Sequence, residues 1–381
     1  MPSGSISGNL MFDQITTPAN VWDAYLKTQK GTSKLKVAAI DFYFNSQVGL
    51  EQLRRRLMDG TYHPKPYNKF YVTEPKERLI YAPSYEDKIV QHAINNVVAP
   101  YLKEKYIDDS FACITERGNQ RAVLRIQTLL SQVRDIYGGE AYILKLDIVK
   151  FFYRISRTIL ESIIGAEFVC QRTKDLLKTI VRRSPGHIGL PLGNLTSQLL
   201  ANLYMNVVDQ YCKTALKLRY YLRYADDIFI VVKGKENAHR LLNHLTRWIN
   251  NTLALDVHPQ KSQVRPLHVG IVGLGFLIYH DHIRLLGKFK RKVRHYIRNI
   301  PVGQLSYREW RKVIEKLNAW LNVMSIAKHH GFIYQLLREF PYVVFDWQRH
   351  QFSLRESTRP PYPIERTPSG DDPHAEPLYL A

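Results

Sequence analysis

Tyr220-Tyr221-Leu222-Arg223-Tyr224-Ala225-Asp226-Asp227-Ile228-Phe229-Ile230-Val231-Val232 is the stretch on which the reading of this chain turns. Two short runs rich in aromatic and β-branched residues, Tyr220 to Tyr224 and Ile228 to Val232, are joined by Ala-Asp-Asp, which predicts a hairpin with acids at its tip. Upstream, Ala141 to Ile148 reads as a buried strand, and Asp147 ends its run Ile143-Leu144-Lys145-Leu146, where a strand otherwise favours apolar residues. A carboxylate half-buried in a sheet is costly unless it is paired or binds a cation. Three acids converging from adjacent strands raise one another's pKa values unless divalent metal supplies the opposing charge. Two hard ions on oxygen ligands would activate an attacking hydroxyl and stabilise a departing pyrophosphate. For any one of these residues a turn or a salt bridge is the plainer reading; the joint pattern favours the metal.

The remaining composition sets the class. The 381 residues carry 54 Lys+Arg against 34 Asp+Glu, a net +20, and 45% are apolar, so a disordered chain is excluded and a large core can form. Three cysteines, Cys113, Cys170 and Cys212, none in a C-x-x-C pair, argue against a zinc ribbon or a disulfide framework and for a reducing compartment. No apolar run approaches the roughly 18 to 20 residues that a bilayer span needs. The N-terminus shows no basic stretch followed by an apolar core, so the expected location is the cytoplasm, with no membrane partner. A cation excess of this size points to a polyanion, nucleic acid first.

The charge is unevenly spread. Residues 351–381 hold six prolines and a net −2, which predicts a disordered tail, whereas residues 287–350 hold thirteen Lys/Arg and four acids. That region opens with Lys288, Lys290, Arg291, Lys292, Arg294 and Arg298. A solvated helix face has the same look, but Phe289, Tyr296, Tyr307, Trp310 and Trp320 interleave it and are suited to stacking on sugars or bases. Elsewhere Ile89, Val90, Ala93, Ile94, Val97 and Val98 predict an amphipathic helix over 86–105, and Asn194, after the turn former Gly193, is placed to cap a helix through Leu199, Leu203 and Val207. Gly273 to Tyr279 and His282 to Leu286 predict a second hairpin. His280, His282, His329 and His330 lack a third ligand at useful spacing and read as solvated residues.

With these residues in place, the chain resembles the reverse transcriptases. Leu146-Asp147-Ile148-Val149-Lys150-Phe151-Phe152 is similar to their first catalytic motif, Tyr224-Ala225-Asp226-Asp227 to their YxDD box, and Gly189 to Gln198 to the element between the two that positions template and nucleotide. Asp256 to Lys261 and Gly275 to Tyr279 follow in the order of the family's downstream lysine and primer grip. The resemblance implies an α+β right-hand polymerase fold. An N-terminal extension (1–35) would precede fingers (36–140), a palm of antiparallel sheet backed by helices (141–286, with an insertion near 156–188), a basic helical thumb (287–350) and the tail (351–381).

It further implies two Mg2+ ions, with Mn2+ as a substitute, held by Asp147, Asp226, Asp227 and Ile148. Lys76, Arg78, Phe152, Leu192, Gly193, Gln198 and Lys261 would meet the nucleotide, Phe276 and Leu277 the primer, and Lys288, Lys290, Arg291, Lys292 and Arg294 the nucleic-acid backbone. Phe152, five residues after Asp147, stands where such enzymes place an aromatic gate against a ribose 2′-hydroxyl; by spacing alone it is equally a core residue beside Phe151.

Leu192 and Gln198 replace the common Gln and Pro, and the string Leu192 to Gln198 is similar to reverse transcriptases of diversity-generating retroelements, bacterial or phage-encoded, which mutagenise cDNA at template adenines. Phe12 to Thr17, Val90 to Ala93 and Ser110 to Cys113 agree with that subgroup; Thr115 to Gln120 and Ile278 depart from it. The implied partners are template RNA, the RNA–cDNA duplex, dNTPs and a small basic accessory protein. A retron-like or phage-defence reverse transcriptase, or a noncatalytic polymerase homologue that binds nucleic acid, are the alternatives. Retention of Asp147, Asp226 and Asp227 speaks against the last.

Overall fold

A computed structural model describes residues 10–30, 37–73 and 77–355. Lys76 lies outside the described residues, as does the tail from 356 onward. Two compact units are present, one holding the described residues through Leu274 with Ile278–Asp281, the other Gly275–Leu277 and the described residues from His282 onward.

The first unit begins with helices α1 (Leu10–Ile15), α2 (Pro18–Thr28), α3 (Val37–Phe44) and α4 (Ser46–Met58). Thr17 caps α2 by accepting the Asn20 N–H at 3.2 Å, ahead of Pro18 at the first turn. A hairpin of β1 (Asn68–Val72) and β2 (Arg78–Ala82) follows, then α5 (Tyr85–Lys105), the helix expected from its apolar spacing. α1 and α2 bury Phe12, Ile15, Val21, Ala24 and Tyr25 in the cluster that also holds Ile89, Ala93 and Ile94 of α5. The described part of the expected N-terminal extension, residues 10–30, therefore contributes to the core, because α1 and α2 pack on the apolar side chains of α5.

Next come α6 (Asn119–Tyr137), β3 (Ala141–Leu146), α7 (Phe151–Arg154), α8 (Arg157–Glu167), α9 (Gln171–Arg182) and α10 (Leu195–Gln210). Then follow β4 (Tyr221–Tyr224), β5 (Asp227–Lys233), α11 (Lys235–Leu253), β6 (Gln263–Pro266) and β7 (Ile271–Gly273). The four-stranded antiparallel sheet has the order β4-β5-β3-β6, so β3 is interior and buried on both faces, and α6 and α11 pack against it. Asn194 occupies the cap position of α10, yet its side chain does not cap; Gln91 Oε1 of α5 accepts the Leu195 N–H at 3.0 Å instead. Asn194 Nδ2 donates to Tyr67 Oη at 3.0 Å, a partner far away in sequence that local capping rules do not foresee.

The second unit takes in Phe276 and Leu277 of β8 (Phe276–Ile278) and the whole of β9 (Ile283–Leu285), which pair as the expected hairpin, then α12 (Gly287–Arg298), α13 (Tyr307–Met324), α14 (His330–Glu339), β10 (Val343–Asp346) and β11 (Gln351–Leu354). β10 and β11 pair antiparallel with Phe352 and Leu354 buried, so residues 351–354 are structured, a correction to the expected start of the tail. Its proline and acid content masked a four-residue apolar alternation. Among the described residues no helix is long and apolar enough to cross a membrane.

Candidate active site

Strand register assembles the acids. β3 and β5 pair with Lys145 opposite Phe229 and Leu146 opposite Ile228, so one step further Asp147 faces Asp227 across the strands. Because side chains alternate, Lys145, Asp147, Asp227 and Phe229 share one face of the sheet. β4 and β5 close with Tyr224 opposite Asp227, which puts Asp226 in a two-residue turn beside Ala225 at φ +53°. Gly273 lies against the Phe229 ring, which a Cβ there would meet at 2.6 Å.

The segment after β3 is pinned on one side only. Asp147 O accepts the His258 N–H at 2.6 Å and the Val149 N–H donates to Asp256 O at 2.8 Å, flanking an Ile148–Val257 bridge. In such a pair the Ile148 carbonyl points to the opposite side of its strand, the side of β5 and its acidic turn. The Ile148 side chain is buried. Ser262 Oγ accepts the Asp147 N–H at 3.1 Å.

Among the described residues, two lysines form ion pairs with these acids. Lys145 Nζ stands 3.0 Å from Asp227 Oδ1 and Lys261 Nζ 3.3 Å from Asp147 Oδ1. Asp227 Oδ1 is buried and, the off-line lysine aside, has no hydrogen-bond donor. Burial first, then the charges of Asp227 and Asp147, push the Asp226 carboxyl up to about 6; burial also raises that of Asp227, against the pull of Lys145. An all-oxygen set short of positive charge fits a hard divalent cation. Among the described residues no three His, Cys, Asp or Glu side chains are gathered in ion-holding geometry as they stand, with Asp147 and Asp227 turned to their lysines.

A second group of expected residues is brought together at the β1–β2 hairpin. Leu192 O accepts the Tyr81 N–H at 2.9 Å, and Gly193, at φ +105°, leaves room for Ile80, which a Cβ would meet at 2.8 Å. Arg78 is exposed at the start of β2, Leu192 is half-buried and Gln198 is exposed on α10. Phe152 is half-buried on α7, its ring 5.3 Å from that of Phe151, and its carbonyl accepts the Leu190 N–H at 2.7 Å.

In the second unit Phe276 is buried and Leu277 half-buried on β8. Lys288, Arg291 and Lys292 are exposed on α12. Arg294 is engaged internally, 2.8 Å from Glu339 and stacked over Phe332, and Lys290 also lies over that ring. The interleaved aromatics are likewise used in packing: Tyr296 meets Trp320 edge-on at 5.1 Å, Phe289 meets Trp320 at 6.5 Å, and Tyr307 stacks on Trp310. The spacing of Phe289, Tyr296 and Trp320 serves the α12–α13 contact and Tyr307 and Trp310 meet within α13, which a one-dimensional reading could not separate from base stacking.

Sequence reasoning assigned no role to Lys145, Ser262 or the Arg223–Asp209 pair. The available signal was a charge in an otherwise apolar run, as at Lys145 within Ile143–Leu146 and Asp209 after Val207-Val208.

Known proteins extend the picture. Protein YkfC of Escherichia coli is 24% identical over 282 residues, 62% of this chain and 73% of its own. The group II intron-encoded protein LtrA of Lactococcus lactis is 21% identical over 323 residues, 65% of this chain and 52% of its own, so the match spans about half of that relative. A putative COX1/OXI3 intron 1 protein of Saccharomyces cerevisiae is 25% identical over 73% of this chain and 31% of its own. Among solved structures, telomerase from Candida albicans aligns with a TM-score of 0.46 at 12% identity, covering 75% of this chain and 56% of that one. The family described as reverse transcriptase (RNA-dependent DNA polymerase) matches residues 64–287, which take in all three carboxylates, both lysines beside them and the Leu192–Asn194 loop; over more than half of its length, then, the chain belongs to the reverse transcriptases.

Proposed function

We propose that this protein is an RNA-directed DNA polymerase that makes error-prone, adenine-mutagenic cDNA from a template RNA, as in a diversity-generating retroelement. The observation carrying the polymerase reading is the register that sets Asp147 opposite Asp227 with Asp226 on the adjoining turn. Members of the family use divalent metal ions, generally Mg2+. Asp147, Asp226 and the Ile148 carbonyl would hold two such ions, with Asp227 as the third acid; once bound, they activate the primer hydroxyl and stabilise the leaving pyrophosphate. Lys145 and Lys261 balance Asp227 and Asp147 until then. Lys261, half exposed, would also give a proton to the departing group.

Arg78 and Lys76 would hold the triphosphate, and Phe152 would exclude a 2′-hydroxyl from beneath the sugar. Lys288, Arg291 and Lys292 would take backbone phosphates of the RNA–cDNA duplex, with Phe276 and Leu277 at the primer. A small basic accessory protein completes the expected assembly, inside a bacterial cell.

The mutagenic reading is supported by Leu192. A Gln there offers a hydrogen bond beside the incoming nucleotide, and Leu does not. One hydrogen bond is worth about 0.5–1.5 kcal/mol net, and about 1.4 kcal/mol is tenfold in rate, so its loss raises misincorporation several-fold to about tenfold. Adenine preference itself rests on the family resemblance. The test is sequencing of cDNA made by the purified protein from its neighbouring RNA, for wild type and Leu192→Gln. Errors concentrated at template adenine and reduced in Leu192→Gln are expected. Errors spread evenly over the four bases would point to an ordinary reverse transcriptase of the retron-like kind.

A further inference from the structure

Three residues before Asp226, on β4, the side chain of Arg223 has no exposed surface. Each of its five N–H groups finds an acceptor. Nε donates to Asp209 Oδ1 at 2.8 Å; Nη2 donates to Asp209 Oδ2 at 2.7 Å and to Ser110 Oγ at 2.8 Å. Nη1 donates to Asn202 Oδ1 at 3.1 Å and to Ala225 O at 3.0 Å. A planar guanidinium with all its donors used has no freedom to rotate.

The acceptors differ in kind. Asp209 and Asn202 stand on α10, and Asp209 also accepts the Tyr221 hydroxyl at 2.6 Å, so that end of the network is an anchor. The Arg223 backbone is fixed as well, its N–H donating to Asp109 O at 2.8 Å and its carbonyl accepting the Phe111 N–H at 3.0 Å. The fifth bond reaches out of the anchor to the acidic turn. The Ala225 carbonyl belongs to the peptide that leads into Asp226, and Ala225 is held in the left-handed region at φ +53°, which a residue with a Cβ keeps only when its surroundings impose it.

We propose that Arg223 is a positioning residue for the polymerase reaction: its bond to the Ala225 carbonyl fixes the peptide plane that carries Asp226 and so sets the direction in which the Asp226 carboxylate presents itself to a divalent cation. This rests on the reading of Asp147 and Asp226 as cation holders. A buried ion pair with no role beyond stability makes a different forecast, because it has no reason to alter cation affinity.

The experiment uses the full chain and Mn2+ alone as probe, with free Mn2+ followed by electron paramagnetic resonance, alongside thermal melts and steady-state dNTP incorporation. Arg223→Lys keeps a positive charge for Asp209 but loses the fork that reaches Ala225. Tyr221→Phe removes one hydrogen bond from the same Asp209 and none from Ala225. Partners that orient ligand residues typically change metal affinity or activity by about 10- to 100-fold when altered. Arg223→Lys is therefore expected to weaken Mn2+ binding at least about tenfold and to lower kcat with the dNTP KM unchanged. Tyr221→Phe should melt at a lower temperature with wild-type Mn2+ affinity. If Arg223→Lys lowers the melting temperature while Mn2+ affinity and kcat stay at wild type, Arg223 is structural only and the proposal is overturned. Asp226→Asn with unaltered Mn2+ affinity would instead overturn the cation reading, so the two failures are told apart. Should Arg223→Lys not fold, Arg223→Met/Asp209→Leu, which removes both buried charges together, faces the same two outcomes.

Discussion

Asp209 and Asp226 are carboxylates withdrawn from water in the same unit, and their surroundings are opposites. Asp209 is fully buried and receives two guanidinium bonds and a tyrosine hydroxyl, all between 2.6 and 2.8 Å. Asp226 is pushed up to about 6 by burial and by the carboxylates of Asp227 and Asp147. The fold can satisfy a buried acid completely, and does so at Asp209, whose partner Arg223 stands three residues upstream of the acid it leaves unsatisfied. Incomplete pairing in a molecule capable of complete pairing marks where a further charge belongs.

The contrast can be broken most directly by neutralising one acid at each place. Asp226→Asn is expected to lower Mg2+-dependent dNTP incorporation by at least about 10³-fold, a barrier change of about 4 kcal/mol, with RNA affinity unchanged. Primer extension at saturating Mg2+ with a parallel binding assay checks this, and wild-type turnover would remove Asp226 from the chemistry. Asp209→Ala should do the reverse in kind, costing about 3–5 kcal/mol of stability because it leaves the buried Arg223 charge unpaired. Denaturant titration reads that cost, and a change under about 1 kcal/mol would mean the pair is not as buried as the geometry has it.

A smaller effect sharpens the same comparison through pH. Asp226 has its folded pKa raised from 3.8 to about 6, so the folded state holds the proton more tightly than the unfolded chain does. Metal-free stability should then fall as pH rises from about 4 to about 6 and stay lower above that, by on the order of 1–3 kcal/mol. Asp226→Asn should melt above wild type at pH 7 to 8 in chelator, with the advantage fading below pH 6 and gone by about pH 4. Equal melts at pH 8 would show the carboxylate to be better compensated than its burial implies.

The sequence made the hairpin and its acids readable because period-two alternation and a short acidic turn are local signals. The helix over 85–105 was readable for the same reason, its apolar residues recurring at three and four. What escaped depends on partners distant in the chain. The cap of α10 comes from Gln91 on α5, Ser262 meets Asp147 from 115 residues further along the chain, and Arg223 binds Ser110 and, on α10, Asn202 and Asp209. The aromatics of α12 and α13 carried a real signal whose meaning, packing or base stacking, only the third dimension resolves. β11 was missed because two buried residues in four are too few to outweigh the prolines that follow.

The seating of α1 and α2 on α5 bears on how this polymerase is handled at the bench. The stretch common to the family starts at residue 64, but Phe12, Ile15, Val21, Ala24 and Tyr25 share a core with Ile89, Ala93 and Ile94. A gene fragment cut at the family boundary would bare that apolar face of α5 to water, and its poor yield or precipitation would say nothing about enzymology. Affinity tags and fusion joints belong ahead of Leu10.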